Sequence, residues 1–326
     1  MTPVNRATTD LVTLDDIRAA AARVQDLVLR TPVIDLPAPG DPDRILHCKA
    51  ESLQPTGAFK LRGAYAMISQ VIDTARANGI VAQSSGNHAR AVAWVARRLD
   101  LDAVIVMPQA APRSKVEAVR ALGARVEIVP NSERDVRAAE LVAEHGSVHV
   151  PPYDDPRIIA GQGTAGLELL EQVPDLDVVL VPVSGGGLIS GISTAVKALR
   201  PQTRVIGVEP ELAADAQQSL RSGERTAWKP EQTYRTVADG LRTPVLGEHT
   251  WEHVRRHVDD IITVGEDEIL AALRHLVIAG RLVVEPSGAV ATAAWLSRDL
   301  PTGRTATIVS GGSIETSLLA DLMRGH

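Results

Sequence analysis

The chain has 326 residues, of which 44% are hydrophobic and 23% charged, and its formal net charge is −6. That length supports a large core and two domains, while a mildly acidic chain without basic runs offers no electrostatic footprint for nucleic acid. No apolar stretch approaches the roughly 20 residues needed to span a bilayer, and a single cysteine, Cys48, excludes an internal disulfide and argues against a zinc cluster.

Met1 to Thr13 is polar, includes Asp10 and lacks the basic-then-apolar layout of a secretion signal, which with the lone cysteine points to the cytoplasm. Thr13-Leu14-Asp15-Asp16 reads as a helix start, with Thr13 as cap and the acids in the first turn, and the helix is expected to run to about Leu29 before Pro32. A Pro/Gly/Asp-rich surface loop, Pro37 to Asp43, leads into a strand over Ile45 to Ala50, whose apolar character makes Cys48 a core residue. Pro55 and Gly57 then break the chain, Thr56 is a candidate cap, and Ala58 to Met67 predicts a helix with Leu61, Ala64 and Tyr65 on one face.

That helix places Lys60 in its first turn, where the positive end of the helix dipole disfavours a cation and lowers its pKa. A neutral lysine amine attacks carbonyls. A solvated surface lysine is the plain alternative. Phe59, the only phenylalanine in a chain with 2% aromatics, stands beside Lys60 and suits a planar aromatic cofactor.

From Ile80 onward the pattern is short apolar strand, turn, amphipathic helix. Strands are expected at Ile80 to Ala82, Ala103 to Met107, Arg125 to Val129 and Ser147 to Val150, with helices at Ala89 to Leu99, Ser114 to Leu122 and Ser132 to His145. After the break at Pro151 to Pro156 come a helix over Ile159 to Glu171, a strand over Val178 to Val183, a helix over Ile189 to Leu199 and a strand over Arg204 to Val208. Asp215 to Thr250 is loop-rich. A strand at Asp260 to Val264, helices near Asp267 to Ala279 and Gly288 to Asp299, and a strand at Ala306 to Val309 complete the chain. Continuous apolar runs joined by helices imply parallel sheets covered on both faces. The expected architecture is α/β and two-lobed, with residues 80–152 as a small domain and residues 1–79 with 153–326 as the large one.

Loops after the carboxyl ends of parallel strands line ligand crevices. Ser184-Gly185-Gly186-Gly187-Leu188 offers consecutive backbone N–H groups at a helix start, as anion sites do, but it lacks the P-loop lysine and the dinucleotide fingerprint. A small phosphate ester fits it; a tight strand-to-helix turn is the alternative. Ser84-Ser85-Gly86-Asn87-His88 is a second helix-entry loop, read as a carboxylate-binding segment rather than a hydrolase pair because no G-x-S-x-G elbow is present. For His88 a packed structural role stands beside a catalytic one. Ser310 to Ser313 is a third such loop.

Pro55 to Ala64, Ser84 to His88, Ile159-Ala160-Gly161-Gln162-Gly163-Thr164, Ser184 to Leu188 and Ser310-Gly311-Gly312, taken together, closely resemble the serine/threonine dehydratase family. This is the fold type II, tryptophan synthase β-like group of pyridoxal-phosphate enzymes, which includes serine racemases; the match runs in order from about Leu14 to Leu319. The resemblance implies that Lys60 holds pyridoxal phosphate through a Schiff base and serves as catalytic base, with Phe59 against the ring. It further implies that Asn87 bonds the ring hydroxyl, Ser184, Gly185, Gly186, Gly187 and Leu188 cradle the phosphate, and Ser310 faces the pyridine nitrogen. Gly240 and Glu285 match positions near the cofactor. Ser84, Ser85, Gly86, Asn87 and His88 would bind the substrate carboxylate, and Ser85 matches the opposite-face base of serine racemases.

The resemblance also implies a divalent-cation loop at Glu209 to Asp215, with Glu209, Asp215 and the Ala213 carbonyl as oxygen ligands suiting Mg²⁺ or Ca²⁺; solvated acids after a strand are the alternative. Ser313 departs from the family, which usually has Asn there. The chain stops at His326, so a C-terminal regulatory domain of the kind found in biosynthetic threonine deaminases is not expected. The implied activity is conversion of L-threonine or L-serine to a 2-oxo acid and ammonia by α,β-elimination, in a homodimer. Serine racemase and threo-3-hydroxyaspartate dehydratase are alternatives within the family, and a non-catalytic ligand-binding protein on this fold is the alternative outside it.

Overall fold

The computed structural model describes residues 11–324, so the polar stretch Met1 to Asp10 lies outside the described residues. Helix α1 (Leu14–Val24) begins with the expected capping box between Thr13 and Asp16. It stops five residues short of Leu29, because the Leu29 N–H and C=O are both taken by the distant Gln54 side chain, at 3.0 and 2.8 Å. The Pro37 to Asp43 segment is not a loop. It belongs to a hairpin of β1 (Val33–Ala38) and β2 (Asp41–Lys49), turned at Gly40 with φ +76°. Pro37 is tolerated there because β1 is an edge strand with a register shift at Pro37/Ala38.

Next come α2 (Lys60–Gln70), α3 (Ile72–Asn78), β3 (Ile80–Gln83), α4 (Asn87–Leu99), β4 (Ala103–Pro108), α5 (Arg113–Ala121), β5 (Arg125–Val129), α6 (Arg134–His145) and β6 (Val148–His149). The second half holds α7 (Pro156–Gln172), β7 (Val178–Pro182), α8 (Gly187–Leu199), β8 (Arg204–Pro210), α9 (Asp215–Ser222), α10 (Pro230–Thr233) and α11 (Glu248–His257). It closes with β9 (Asp260–Val264), α12 (Glu266–Ile278), α13 (Pro286–Ser297), β10 (Thr305–Ile308) and α14 (Thr316–Arg324). The loop-rich stretch after Asp215 thus contains α9 and α11. Both are polar helices that bury only a narrow face, which hides their period.

The strands form two sheets, as the continuous apolar runs require. One has the order β1-β2-β10-β7-β8-β9, parallel except for the hairpin; the other has the order β5-β4-β3-β6 and is wholly parallel. Along β7, Val178 and Leu180 pack toward α12 and α13, while Val179 and Val181 pack toward α7, α8 and α11. Each such fully buried side chain stabilises by about 1.5–3 kcal/mol. Among the described residues no helix is long and apolar enough to cross a membrane.

Helix α2 is set against α7 in two ways. Gly161 lets the backbones meet, since a Cβ there would lie 2.7 Å from Gly63 Cα. A buried ionic network then fixes the register. Arg62 donates to Glu51 at 2.7 Å and to Glu168 at 2.7 Å, and Lys49 donates to Glu168 at 2.6 Å and to Thr31 O at 2.8 Å. Arg62, Lys49 and Glu51 have no exposed surface. Burial alone would raise the Glu51 carboxyl, but the Arg62 guanidinium outweighs it and holds the group below its ordinary range.

Candidate active site

Four loops converge because each leaves the C-terminal end of a parallel-paired strand: β2 leads to the Lys60 stretch, β3 to Ser84–His88, β7 to Ser184–Leu188 and β10 to Ser310–Ser313. Lys60 is the first residue of α2, with Phe59 in the N-cap position. Thr56, expected as the cap, is buried in the preceding loop. The helix starts later because Ala58 forms a bridge with Gly311, and the Phe59 N–H donates to Ser310 O at 3.1 Å.

Lys60 Nζ donates to Pro152 O at 2.5 Å and lies 5.2 Å from the Phe59 ring centroid. Burial lowers its pKa to about 8. The shift has the direction expected from the helix terminus, but loss of solvent is its cause.

At the glycine loop, Gly186 has φ +93°, which a glycine adopts without strain. The Ser190 N–H donates to Gly186 O at 2.9 Å, closing the first turn and leaving the N–H groups of Gly187, Leu188 and Ile189 for an acceptor outside the helix. Ser184 Oγ accepts from the Thr243 N–H at 3.3 Å. These residues fit pyridoxal phosphate: a half-buried amine of lowered pKa suits its aldehyde, and helix-terminal donors suit its phosphate.

Asn87 opens α4, and its Nδ2 donates to Glu285 Oε1 at 2.5 Å. Burial, aided by Asp239, pushes the Glu285 carboxyl up to about 7. Gly240 and Ser310 meet across Ser287, whose Oγ accepts from the Gly240 N–H at 2.8 Å and whose carbonyl lies 3.5 Å from Ser310 Oγ. Ser84 Oγ accepts from the Gly86 N–H at 3.2 Å, and Ser85 is half-buried. His88 is buried, with Nε2 2.8 Å from Val150 O, so the neutral ring donates that N–H and ties α4 to the end of β6. Burial, with Lys60 nearby, lowers its pKa to about 3.

Glu209 is buried at the end of β8, accepting from the N–H groups of Ala216 at 3.1 Å and Gln217 at 2.7 Å. Burial and the neighbouring Asp215 push its carboxyl well up, and burial pushes Asp215 up to about 7. Both Asp215 oxygens are buried without a hydrogen-bond partner, and Ala213 is buried in the same turn. Among the described residues no group of three or more His, Cys, Asp or Glu side chains is placed to hold a metal ion.

Four residues at the site carry no local signal in the sequence: Pro152, which receives Lys60; Tyr153, whose ring lies 2.5 Å from where a Gly185 Cβ would be; Asp154; and Ser287. Only the proline-rich break after β6 marks the first three as more than linker.

The family description "pyridoxal-phosphate dependent enzyme" matches residues 24–311. Similar proteins include the L-threonine ammonia-lyase of Thermotoga maritima, 40% identical over 319 residues that cover 95% of this chain and 77% of that protein. The L-threo-3-hydroxyaspartate ammonia-lyase of Saccharomyces cerevisiae is 40% identical over 321 residues, covering 96% and 97%. The structure of maize serine racemase matches with a TM-score of 0.89 at 38% identity, covering 97% of this chain and 98% of that one. With such identity along nearly its whole length, the chain belongs to the fold type II pyridoxal-phosphate dependent enzymes, within the serine/threonine dehydratase and serine racemase family.

Proposed function

We propose that the chain is an ammonia-lyase that converts L-threonine and L-serine to 2-oxobutanoate and pyruvate with release of ammonia. Pyridoxal-phosphate dependent carbon–nitrogen lyase chemistry on a small amino acid comes with the family. The β-hydroxy substrate and the residue roles below are our assignment. Lys60 is the observation that carries it: a half-buried amine at a helix start, lowered to about 8 and seated between Phe59 and Pro152.

When bound, pyridoxal phosphate supplies a sink for the electrons left at the substrate Cα as its proton departs. Lys60 Nζ takes that proton. At a pKa of about 8, about one amine in ten is neutral at pH 7, against fewer than about one in a thousand for a free lysine. Ser84, Ser85 and the first N–H groups of α4, at Asn87 and His88, bind the substrate carboxylate beside Gly86. Asn87 would hold the ring hydroxyl, with Glu285 fixing its amide, and Ser184 to Leu188 would hold the phosphate. Phe59 would pack on the ring, Gly240 would border it, and Ser310 would lie toward the ring nitrogen. A serine there would not keep that nitrogen protonated as an aspartate would, which would favour elimination over transamination.

Two observations favour second readings. Identity to the yeast L-threo-3-hydroxyaspartate ammonia-lyase is equally 40%, and Ser85 is present to return a proton from the opposite face, as in a racemase. Incubation with L-threonine, L-serine, D-serine and L-threo-3-hydroxyaspartate, with 2-oxo acid and chirality measured, separates them. Fastest 2-oxo acid formation from L-threonine or L-serine is expected; inversion without 2-oxo acid identifies a racemase. Lys60→Ala is expected to remove the holoenzyme absorbance near the edge of the visible range, and an unchanged spectrum refutes the role of Lys60.

A divalent cation, Mg²⁺ or Ca²⁺, is proposed at Glu209, Asp215 and the Ala213 carbonyl. The two unpartnered Asp215 oxygens support it, because hard cations take oxygen ligands and buried carboxylate oxygens are otherwise hydrogen-bonded.

A further inference from the structure

We infer that Asp154 is a positioning residue for the phosphate seat, acting from the same loop that holds Lys60. This rests on the assignment of Ser184–Leu188 to the phosphate. Asp154 lies in the link between β6 and α7, yet its carboxylate caps a helix far along the chain. Oδ2 accepts from the Glu248 N–H at 2.9 Å, and Oδ1 accepts from His249 at 2.9 Å and Thr250 at 3.2 Å. These are the first N–H groups of α11. The residue in the N-cap position, Gly247, has no side chain to serve them, and a Cβ there would lie 2.2 Å from the Asp154 carboxylate. The cap is supplied from outside the helix instead.

Helix α11 in turn holds the glycine loop. Thr250 Oγ1 donates to Gly185 O at 2.7 Å, and the Gly247 N–H reaches the same carbonyl at 3.3 Å. Thr250 and Leu246 both lie 2.8 Å from where a Gly186 Cβ would be, and the Tyr153 ring closes on Gly185 from the other side. Gly185 C=O and Gly186 N–H belong to one planar trans peptide and point in opposite directions. Fixing the carbonyl on α11 therefore turns the Gly186 N–H away from that helix, free for an anion. Two residues before Asp154, Pro152 O receives Lys60 Nζ at 2.5 Å. One short loop thus sets the spacing between the amine and the anion seat, which bind opposite ends of one ligand.

If Asp154 served only the stability of α11, its loss would weaken every ligand alike. As a positioning residue it acts on the phosphate alone. The test uses the full chain, resolved of cofactor with hydroxylamine and titrated by fluorescence with pyridoxal phosphate and with pyridoxal, which has the aldehyde and ring but no phosphate. Loss of the cap in Asp154→Ala is expected to weaken pyridoxal phosphate about tenfold while pyridoxal changes less than about twofold. Asp154→Asn keeps one acceptor oxygen and is expected to fall between wild type and Asp154→Ala; if the alanine variant does not fold, the asparagine variant carries the comparison.

Equal weakening of both ligands, or a wild-type ratio in the variants that fold, overturns the role of Asp154. Gly185→Ala, whose methyl must displace the Tyr153 ring, separates the two assignments. Phosphate preference kept in Gly185→Ala means the glycine loop is not the seat, and the role of Asp154 falls with it. Preference lost in Gly185→Ala but kept in the Asp154 variants rejects Asp154 alone.

Discussion

Two acidic clusters in the interior of this molecule differ in the partners they are given. Glu51 and Glu168 share Arg62 and Lys49, with donors at 2.6–2.8 Å, and Glu51 is held below the usual carboxylate range. Glu209 lies beside Asp215, neither takes part in an ion pair among the described residues, and burial pushes Asp215 up to about 7. Glu51, Glu209 and Asp215 are all buried carboxylates; the partners differ. The first group is complete within the chain and fixes α2, and with it Lys60. The second is complete only when a proton or a cation joins it.

The largest expected effect comes from opening the closed group. Arg62→Ala leaves Glu51 and Glu168 short of a cation in the interior and is expected to cost about 3–5 kcal/mol in urea unfolding. Replacing both partners by apolar residues, Arg62→Met with Glu51→Leu, is expected to recover part of that loss; no loss in the single variant would erase the contrast between the groups.

Closing the open pair comes next. After EDTA treatment, Mg²⁺ or Ca²⁺ at a hundredfold excess over its Kd is expected to add about 2.7 kcal/mol, read from the melting temperature. Asp215→Asn is expected to abolish that response, and a wild-type protein indifferent to both ions would leave the pair as two shared-proton acids.

A smaller effect follows from acid. The buried His88 ring has a folded pKa of about 3 against 6.5 for the ordinary group, so the unfolded chain binds the extra proton as pH falls below 6.5. Stability is therefore lost on acidification, by on the order of 2 kcal/mol at pH 5. Glu51, whose carboxyl is lowered, adds a loss of the same sign only at pH values below the ordinary carboxylate range. His88→Gln, which keeps a donor for Val150 O, is expected to flatten the slope between pH 6.5 and 5; an unaltered slope would assign it to other groups.

Much of the architecture was legible because parallel strands write themselves as continuous apolar runs. Arg125 to Val129 and Asp260 to Val264 are strands over the predicted residues. The hairpin was not legible, since Pro37, Gly40 and Asp41 carry turn chemistry that an edge strand nonetheless accepts. Nor was the end of α1, decided by a Gln54 side chain 25 residues away. At the site, Lys60 and the glycine loop stood out because unusual residues sit at strand ends. Pro152 and Asp154 did not, because what they do depends on partners 92 and 94 residues distant, which no local pattern encodes.

The edge hairpin has a consequence for self-association. Pro37 has no N–H to offer a neighbouring strand, its carbonyl already receives His275 Nε2 at 2.8 Å, and the register shift beside it breaks the ladder. At the opposite edge, the β9 carbonyl of Ile261 is taken by Gln217 Nε2 at 2.8 Å. Both ends of the six-stranded sheet are blunted against strand addition. At these two points the margins of the six-stranded sheet offer a poor template for an added strand, whether from a second copy or from a partly unfolded chain.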